Sequence, residues 1–300
     1  MDKKISNLSQ LAYIKRYVLT DGKENGIKVV EIDNGKIRLT LNESKALDIM
    51  QLWYNGKNFA FISKNGFSGG NNHFLKRFEG GFLYTVGLDS AGIREGYELH
   101  GSFHNIPAKV ISCVINEDKI EVIGEIEDTQ LFGKNLKVIR KYLTDILSNR
   151  IVVQDTIINN GTSDEDYCTL YHCNFGYPFL DENVIVSFDG KTVLPRTELA
   201  KEHVKDIHKF FLPVDNQEER CYFIENATPV INISNIKTKE RVKLSYSDDT
   251  LPKMVLWQSN ATNDYALGIE PTTTFLDDNF EYKTIKKGEK ITNKIEIEFN

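Results

Sequence analysis

The pattern that most constrains this chain is a two-residue alternation of apolar and polar side chains, repeated in short runs with turn residues between them. Residues 37–41 place Ile37, Leu39 and Leu41 against Arg38 and Thr40, the period of a strand with one buried face. An apolar run at 27–32 precedes it, and Asp33-Asn34-Gly35 between the two is a hairpin turn signal. Runs of the same kind cover 109–115, 119–125, 136–143 and 150–158, with Asn116-Glu117-Asp118 as a second tight turn. Further strands are expected at 184–188, 242–246, 254–257, 266–270 and 290–299. Helical spacing is confined to 7–18, through Leu8, Leu11, Ile14 and Tyr17 or Val18, and to a weaker stretch at 198–211. Many short strands with turns between them point to an all-β, large antiparallel β-sandwich rather than to βαβ units. No repeat, low-complexity tract or linker divides the 300 residues, so one domain over 1–300 is the simplest organisation.

Charge and cysteines exclude several classes of function. The net charge is -6, with 37 basic and 43 acidic residues mixed along the chain. Nucleic acid requires a basic face and an anionic membrane a polybasic segment; neither is present. No apolar run approaches the roughly 20 residues of a membrane span, and Met1 to Asn7 lead into no apolar signal-peptide region. The four cysteines, Cys113, Cys168, Cys173 and Cys221, show neither a Cys-x-x-Cys pair nor zinc spacing. Reduced thiols and a cytoplasmic location are the expectation. Exposed strand edges could pair, which leaves a homodimer open. Seventeen phenylalanines, 13 tyrosines and two tryptophans are mostly core material, although aromatic faces also suit sugar rings.

Three separated segments carry the chemistry. Glycine is dense from 66 to 107, a stretch read either as a surface loop that requires positive φ or as a functional loop. It lacks both the dinucleotide fingerprint and a Walker lysine. His100 is followed there by Gly101, and His104 lies four residues on. Gly101 and Pro107 argue against the helix that would make the two histidines metal ligands, so no metal is assigned. Leu170 to Phe175 reads as a strand in which His172 shares a face with Leu170 and Asn174. That leaves His172 either a core histidine or a pocket residue. Glu270 ends the apolar run Ala266-Leu267-Gly268-Ile269, where a carboxylate is costly to bury unless partnered or used. Pro271 biases Glu270 to the extended region. An acid and a base arriving together are the minimum for moving protons on and off a sugar ring.

Read in order, these segments resemble the aldose 1-epimerase (galactose mutarotase-like) superfamily, and more closely its bacterial branch once described only as a domain of unknown function. The resemblance rests on Gly80-Gly81-Phe82-Leu83-Tyr84-Thr85-Val86-Gly87-Leu88-Asp89, Leu99-His100-Gly101 and Asn105-Ile106-Pro107-Ala108. It continues through Tyr171-His172-Cys173-Asn174-Phe175-Gly176-Tyr177-Pro178 and Gly268-Ile269-Glu270-Pro271. It implies a twisted antiparallel sandwich with an open groove, His172 as general acid, Glu270 as general base and His100 as a sugar-binding histidine. Arg77 is the nearest match to the family's upstream arginine, and Asn174 is a further substrate-binding candidate. The family's sugar-binding aspartate has no evident match between His172 and Glu270. The implied activity is interconversion of the α and β anomers of an aldose, with no cofactor. A sugar isomerase or another epimerase on the same scaffold, a non-catalytic carbohydrate-binding protein and a metal enzyme using His100, His104 and Glu270 remain as rivals.

Overall fold

The structure, a computed structural model, describes residues 3–70 and 73–300. Three antiparallel sheets hold nearly all of its regular secondary structure. The first runs Tyr13–Val18, Lys28–Asp33, Ile37–Asn42, Asp48–Tyr54 and Lys57–Asn58 in chain order. The second has eight strands: Val184–Ser187, Val230–Asn235, Arg241–Tyr246, Lys290–Phe299, Arg150–Asn159, Asn135–Asp145, Lys119–Thr129 and Lys109–Asn116. The third, which carries the site, runs Thr192–Pro195, Arg220–Glu225, Lys253–Ala261, Asp264–Thr272 and Glu165–Gly176. Lys283–Ile285 and Leu83–Leu88 share the far edge of Glu165–Gly176. Among the described residues no helix is long and apolar enough to cross a membrane.

Alternation explains the second sheet. Lys119–Thr129 and Asn135–Asp145 bury every second residue, and Val122, Val138, Val153 and Ile295 join one apolar core with Leu39 and Leu52 of the first sheet and Tyr171, Phe175 and Ile269 of the third. Glu165–Gly176 differs: from Tyr167 onward it is buried on both faces. Tyr171 and Cys173 face that shared core, whereas Leu170 faces a smaller cluster with Tyr84, Val86, Phe223 and Val255.

The two helical expectations are corrected. At 7–18, Asn7 and Gln10 cap a single 3-10 turn, Leu8–Gln10, through reciprocal side-chain bonds, and Tyr13–Val18 is a strand paired to Lys28–Asp33. Cross-strand partners outweigh the helical spacing there. At 198–211 the α-helix covers only Glu198–Glu202, followed by a 3-10 turn at Val204–Asp206. The chain beyond is strapped to the sheet, because the Phe211 carbonyl accepts bonds from Asn260 and Tyr265. The glycine-rich stretch is not a plain surface loop either. It holds the helical turn Phe74–Arg77 and the strand Leu83–Leu88, buried at all six positions. A strand buried on both faces has no alternation to read. Strands Asp48–Tyr54, Arg220–Glu225 and Val230–Asn235 are additions to the sequence expectation.

A buried ionic cluster joins the three sheets. Arg140 of the second sheet donates to Asp155 at 2.8 and 2.6 Å, to the Ala46 carbonyl at 2.9 Å and to Thr85 Oγ1 at 2.9 Å, and it also pairs with Asp48 of the first sheet. All five guanidinium N–H groups are thereby used. Tyr171 of the third sheet donates to Asp155 at 2.8 Å, and Thr85 donates to Asp48 at 2.6 Å. His104 Nδ1 lies 2.6 Å from the other Asp48 oxygen and Nε2 3.6 Å from Glu79, which Lys45 also pairs. Burial opposes charge on His104, but the bond to Asp48 and the carboxylates of Asp48 and Glu79 win and raise its pKa. Removing one partner of such a cluster leaves buried charge uncompensated, at about 3–5 kcal/mol. Arg140→Leu should therefore lose about that much unfolding free energy in a denaturant titration; a loss no larger than that of a surface Arg→Leu control would contradict this account.

Candidate active site

Across the third sheet the side chains form a row. Glu219 and Cys221 flank and enter Arg220–Glu225, Val255 and Trp257 lie on the next strand, Glu270 on the next, His172 on the next, and Tyr84 beyond it. A cavity of about 340 Å³ stands over this row. His172, Glu270, Arg196, Glu219, Cys221 and His100 supply its polar groups, and Phe74, Leu75, Phe78, Ile93, Leu99, Val255, Trp257 and Leu276 line the rest. The volume suits one small ring-sized ligand.

His172 and Glu270 meet at the floor. His172 Nε2 is 3.2 Å from Glu270 Oε1. His172 is 6% and Glu270 2% exposed, so water does little to stabilise charge on either. Burial, with a smaller push from Glu219, raises the Glu270 pKa well above the carboxylate range, against the pull of Arg196. Burial, then the nearby His100, lowers His172 to about 3, while the Asn174 side chain acts the other way. The directions agree on a carboxylic acid beside a neutral imidazole, one proton for the pair. Neither Glu270 Oε1 nor His172 Nδ1 has a hydrogen-bond partner within the protein. An unpartnered buried polar atom facing a cavity is suited to a ligand.

Gly268 makes this approach possible. A Cβ there would lie 2.6 Å from Glu270 Oε1 and 3.0 Å from His172 Cε1. It is paired opposite Asn174 on one side and Trp257 on the other, so the backbone has little room to yield.

His100 reaches the cavity by another route. Its φ is +67°, an uncommon conformation for a non-glycine residue. Gly101 follows at +74°, where a Cβ would lie 2.5 Å from Asp89 Oδ1 and 2.6 Å from the carbonyls of Gly87 and Ser90. That packing gives the His-Gly pair its physical reason. Gly92 donates to His100 Nδ1 at 3.4 Å, and Phe74 meets the ring edge-on at 5.0 Å. Burial, reinforced by Arg196, lowers the His100 pKa to about 4, so the ring is neutral at physiological pH.

The other candidates lie elsewhere. Arg77 is buried at the end of its helical turn, donates to Glu98 at 2.8 Å, and is not among the cavity-lining residues. Asn174 is fully buried under His172, whose carbonyl accepts its Nδ2 at 3.0 Å. It braces the backbone at His172 and does not line the cavity. His104 belongs to the inter-sheet cluster, so it does not join His100 and Glu270. Among the described residues no group of three His, Cys, Asp or Glu is arranged to hold a metal ion.

Arg196 and Glu219 carry no local sequence signal, since both stand just outside strands in unpatterned segments. Arg196 bonds Glu219 at 3.1 Å and Asp277 at 2.6 Å. Glu219 also accepts Trp257 Nε1 at 2.6 Å, and the Trp257 ring stands edge-on to His172 at 5.4 Å. Glu219 is thus the cavity carboxylate that lies between His172 and Glu270 in sequence. Cys221 is buried in the wall, and burial raises its thiol pKa, leaving it a neutral group.

Gly268→Ala should leave the fold intact and lengthen the Glu270–His172 approach, as read from a crystal structure of the variant. An unchanged separation would show that the floor does not depend on the missing Cβ.

Comparison with known proteins places these features in a wider set. The family model described as a domain of unknown function, DUF4432, matches residues 24–297. No curated protein matches the chain. Among solved structures, a protein from Klebsiella pneumoniae described as a candidate aldose 1-epimerase superposes with a TM-score of 0.84 at 20% identity, covering 95% of this chain and 83% of that one. A galactose mutarotase-like protein from Clostridium acetobutylicum superposes with a TM-score of 0.70 at 14% identity, covering 97% and 99%. A second candidate aldose 1-epimerase, from Escherichia coli K12, gives 0.65 at 12% identity, covering 96% and 99%. At these identities the likeness is one of fold. The chain belongs to the DUF4432 family and has the galactose mutarotase-like β-sandwich fold.

Proposed function

We propose that this protein is an aldose 1-epimerase-like enzyme that interconverts the α and β anomers of a sugar by opening and closing its ring. The observation that carries the reading is the His172–Glu270 pair, 3.2 Å apart at the floor of a ring-sized cavity. Names borne by proteins of the same fold support it.

The pair holds its single proton in two arrangements. Arg196 and the Asn174 side chain favour carboxylate and imidazolium, whereas burial favours carboxylic acid and neutral imidazole. With the ring closed, Glu270 as carboxylate takes the proton from the anomeric hydroxyl. His172 as imidazolium gives one to the ring oxygen. The C1–O5 bond breaks, C1 becomes an aldehyde, and the former ring oxygen becomes a hydroxyl. Glu270 is then the acid and His172 the neutral base, which is the arrangement that burial stabilises. Rotation about C1–C2 presents the other carbonyl face. Closure returns both protons by the reverse transfers, and the pair ends as it began. No electrons or groups are exchanged with a second reactant.

A positioned acid or base typically contributes about 10²–10⁴-fold. Glu270→Gln and His172→Gln should each fold and lose anomer exchange by that order, measured by saturation-transfer NMR across a panel of aldoses. Full exchange in both variants would exclude the mechanism. Appearance of a ketose or a new aldose during long incubation would replace it with isomerisation.

The pH profile follows from the same pair. Loss of its one proton occurs at the raised Glu270 pKa, so kcat/KM should fall on the alkaline side above the ordinary carboxylate range. A second proton is resisted until His172 titrates, at about 3, so the acid limb should stay flat down to that region. An acid limb at the ordinary histidine pKa would contradict the assignment.

A further inference from the structure

We propose that the site selects an uncharged aldose whose C5 substituent is a hydrogen or a methyl group, meaning a pentopyranose or a 6-deoxyhexopyranose, over hexoses, hexuronates and hexose 6-phosphates. This rests on the anomer-exchange reading for the orientation of the ring.

The strand order fixes that orientation. Glu270 acts at C1 and His172 at the ring oxygen, so C2 lies beyond Glu270 and C5 beyond His172. Beyond Glu270, across the sheet, stand Val255, Glu219 and Arg196, with the Trp257 ring reaching back to His172. A carboxylate that accepts and a guanidinium that donates suit sugar hydroxyls. Beyond His172 the wall is aromatic. Phe78 lies 5.9 Å from the His172 ring, Phe74 stacks on Phe78 at 5.1 Å, and Leu75 stands 73% exposed beside them at the cavity. His100 is the polar group on that side; its Nδ1 is occupied by the Gly92 N–H, which leaves the Nε2–H of the neutral ring as its one donor. A C6 hydroxyl turned to the Phe74 and Phe78 rings loses its water, and the His100 Nε2–H is the one donor on that side to replace it. A methyl group or a hydrogen loses nothing there.

Charge points the same way. Among the described residues lining the cavity Arg196 is the one cation, and Glu219 and Asp277 hold it at 3.1 and 2.6 Å. Glu270 adds a third carboxyl group to the site. An anionic C5 substituent would face Phe74 and Phe78 with no free cation within the cavity to receive it.

The test is saturation-transfer difference NMR, which reads binding without requiring turnover. The panel is xylose, 6-deoxyglucose, glucose, glucose 6-phosphate and glucuronate, with the matching galacto-configured set, starting with arabinose and fucose, beside it. The pentose and the 6-deoxyhexose of at least one set should bind about tenfold more tightly than the hexose, the low end of what one small group gives in an apolar pocket. The two anions should give no signal. Phe74→Asn, which places a hydrogen-bonding group on the wall, should narrow the difference while still binding the pentose. A hexose or an anion binding as tightly as the 6-deoxyhexose would overturn the proposal and leave the anomer-exchange reading intact. Binding with the expected preference but no anomer exchange in the unmodified protein would overturn the reaction and support the C5 preference. No binding by any sugar would remove both.

Discussion

The Arg140 guanidinium is the contact on which the arrangement depends. It sits where the three sheets converge, and its charge is matched by Asp155 and Asp48, so the pKa lies well above even the usual arginine value despite full burial. Through Thr85 and Tyr171 it fixes the backs of Leu83–Leu88 and of Glu165–Gly176, the strand that carries His172. Thr85 and Tyr171 are register partners, and so are their neighbours Tyr84 and His172. Side chains alternate along a strand, so residues that turn one way lock the sheets and residues that turn the other way face the cavity. Tyr84 links the two sides, because its ring stacks on His104 of the ionic cluster at 3.8 Å and meets Phe78 of the cavity wall at a tilt, 5.3 Å away.

The same burial that makes the charged cluster expensive makes the His172–Glu270 pair useful. Arg140 and its partners are compensated atom by atom. The floor pair is left incomplete, with Glu270 Oε1 and His172 Nδ1 unpartnered. Every donor of Arg140 is matched and its network holds geometry, whereas the floor pair is left unsatisfied. Gly268 keeps the pair close, and Asn174 braces the His172 backbone through its carbonyl. Around them the polarity is graded across the sheet, from Arg196 and Glu219 at one end to Phe78 and Phe74 at the other.

Much of this was legible in the residues themselves. Strands with one wet face, such as Ile37–Asn42 and Asn135–Asp145, announce themselves by alternation, and the all-β class follows. His172, Glu270 and His100 stand out because polar groups beside apolar strand residues and a His-Gly pair need a reason. Leu83–Leu88 was hidden because both its faces are buried, and Tyr13–Val18 because its pairing partner, not its spacing, decides its form. Arg196 and Glu219 come from segments 23 residues apart that meet only across adjacent strand ends. Arg77 looks like the functional arginine by position along the chain, yet its side chain turns to Glu98. Arg196, not Arg77, is the arginine that lines the cavity.

The central claim is that burial leaves one proton on the floor pair, held by Glu270. Infrared difference spectroscopy of the unmodified protein against Glu270→Gln at neutral pH, with labelled carboxyl groups, tests it most directly. The account predicts a carboxylic acid C=O band that vanishes in the variant, together with a neutral His172 ring by ¹⁵N NMR. An ionised Glu270 beside a neutral His172, with no proton on the pair at neutral pH, would contradict it.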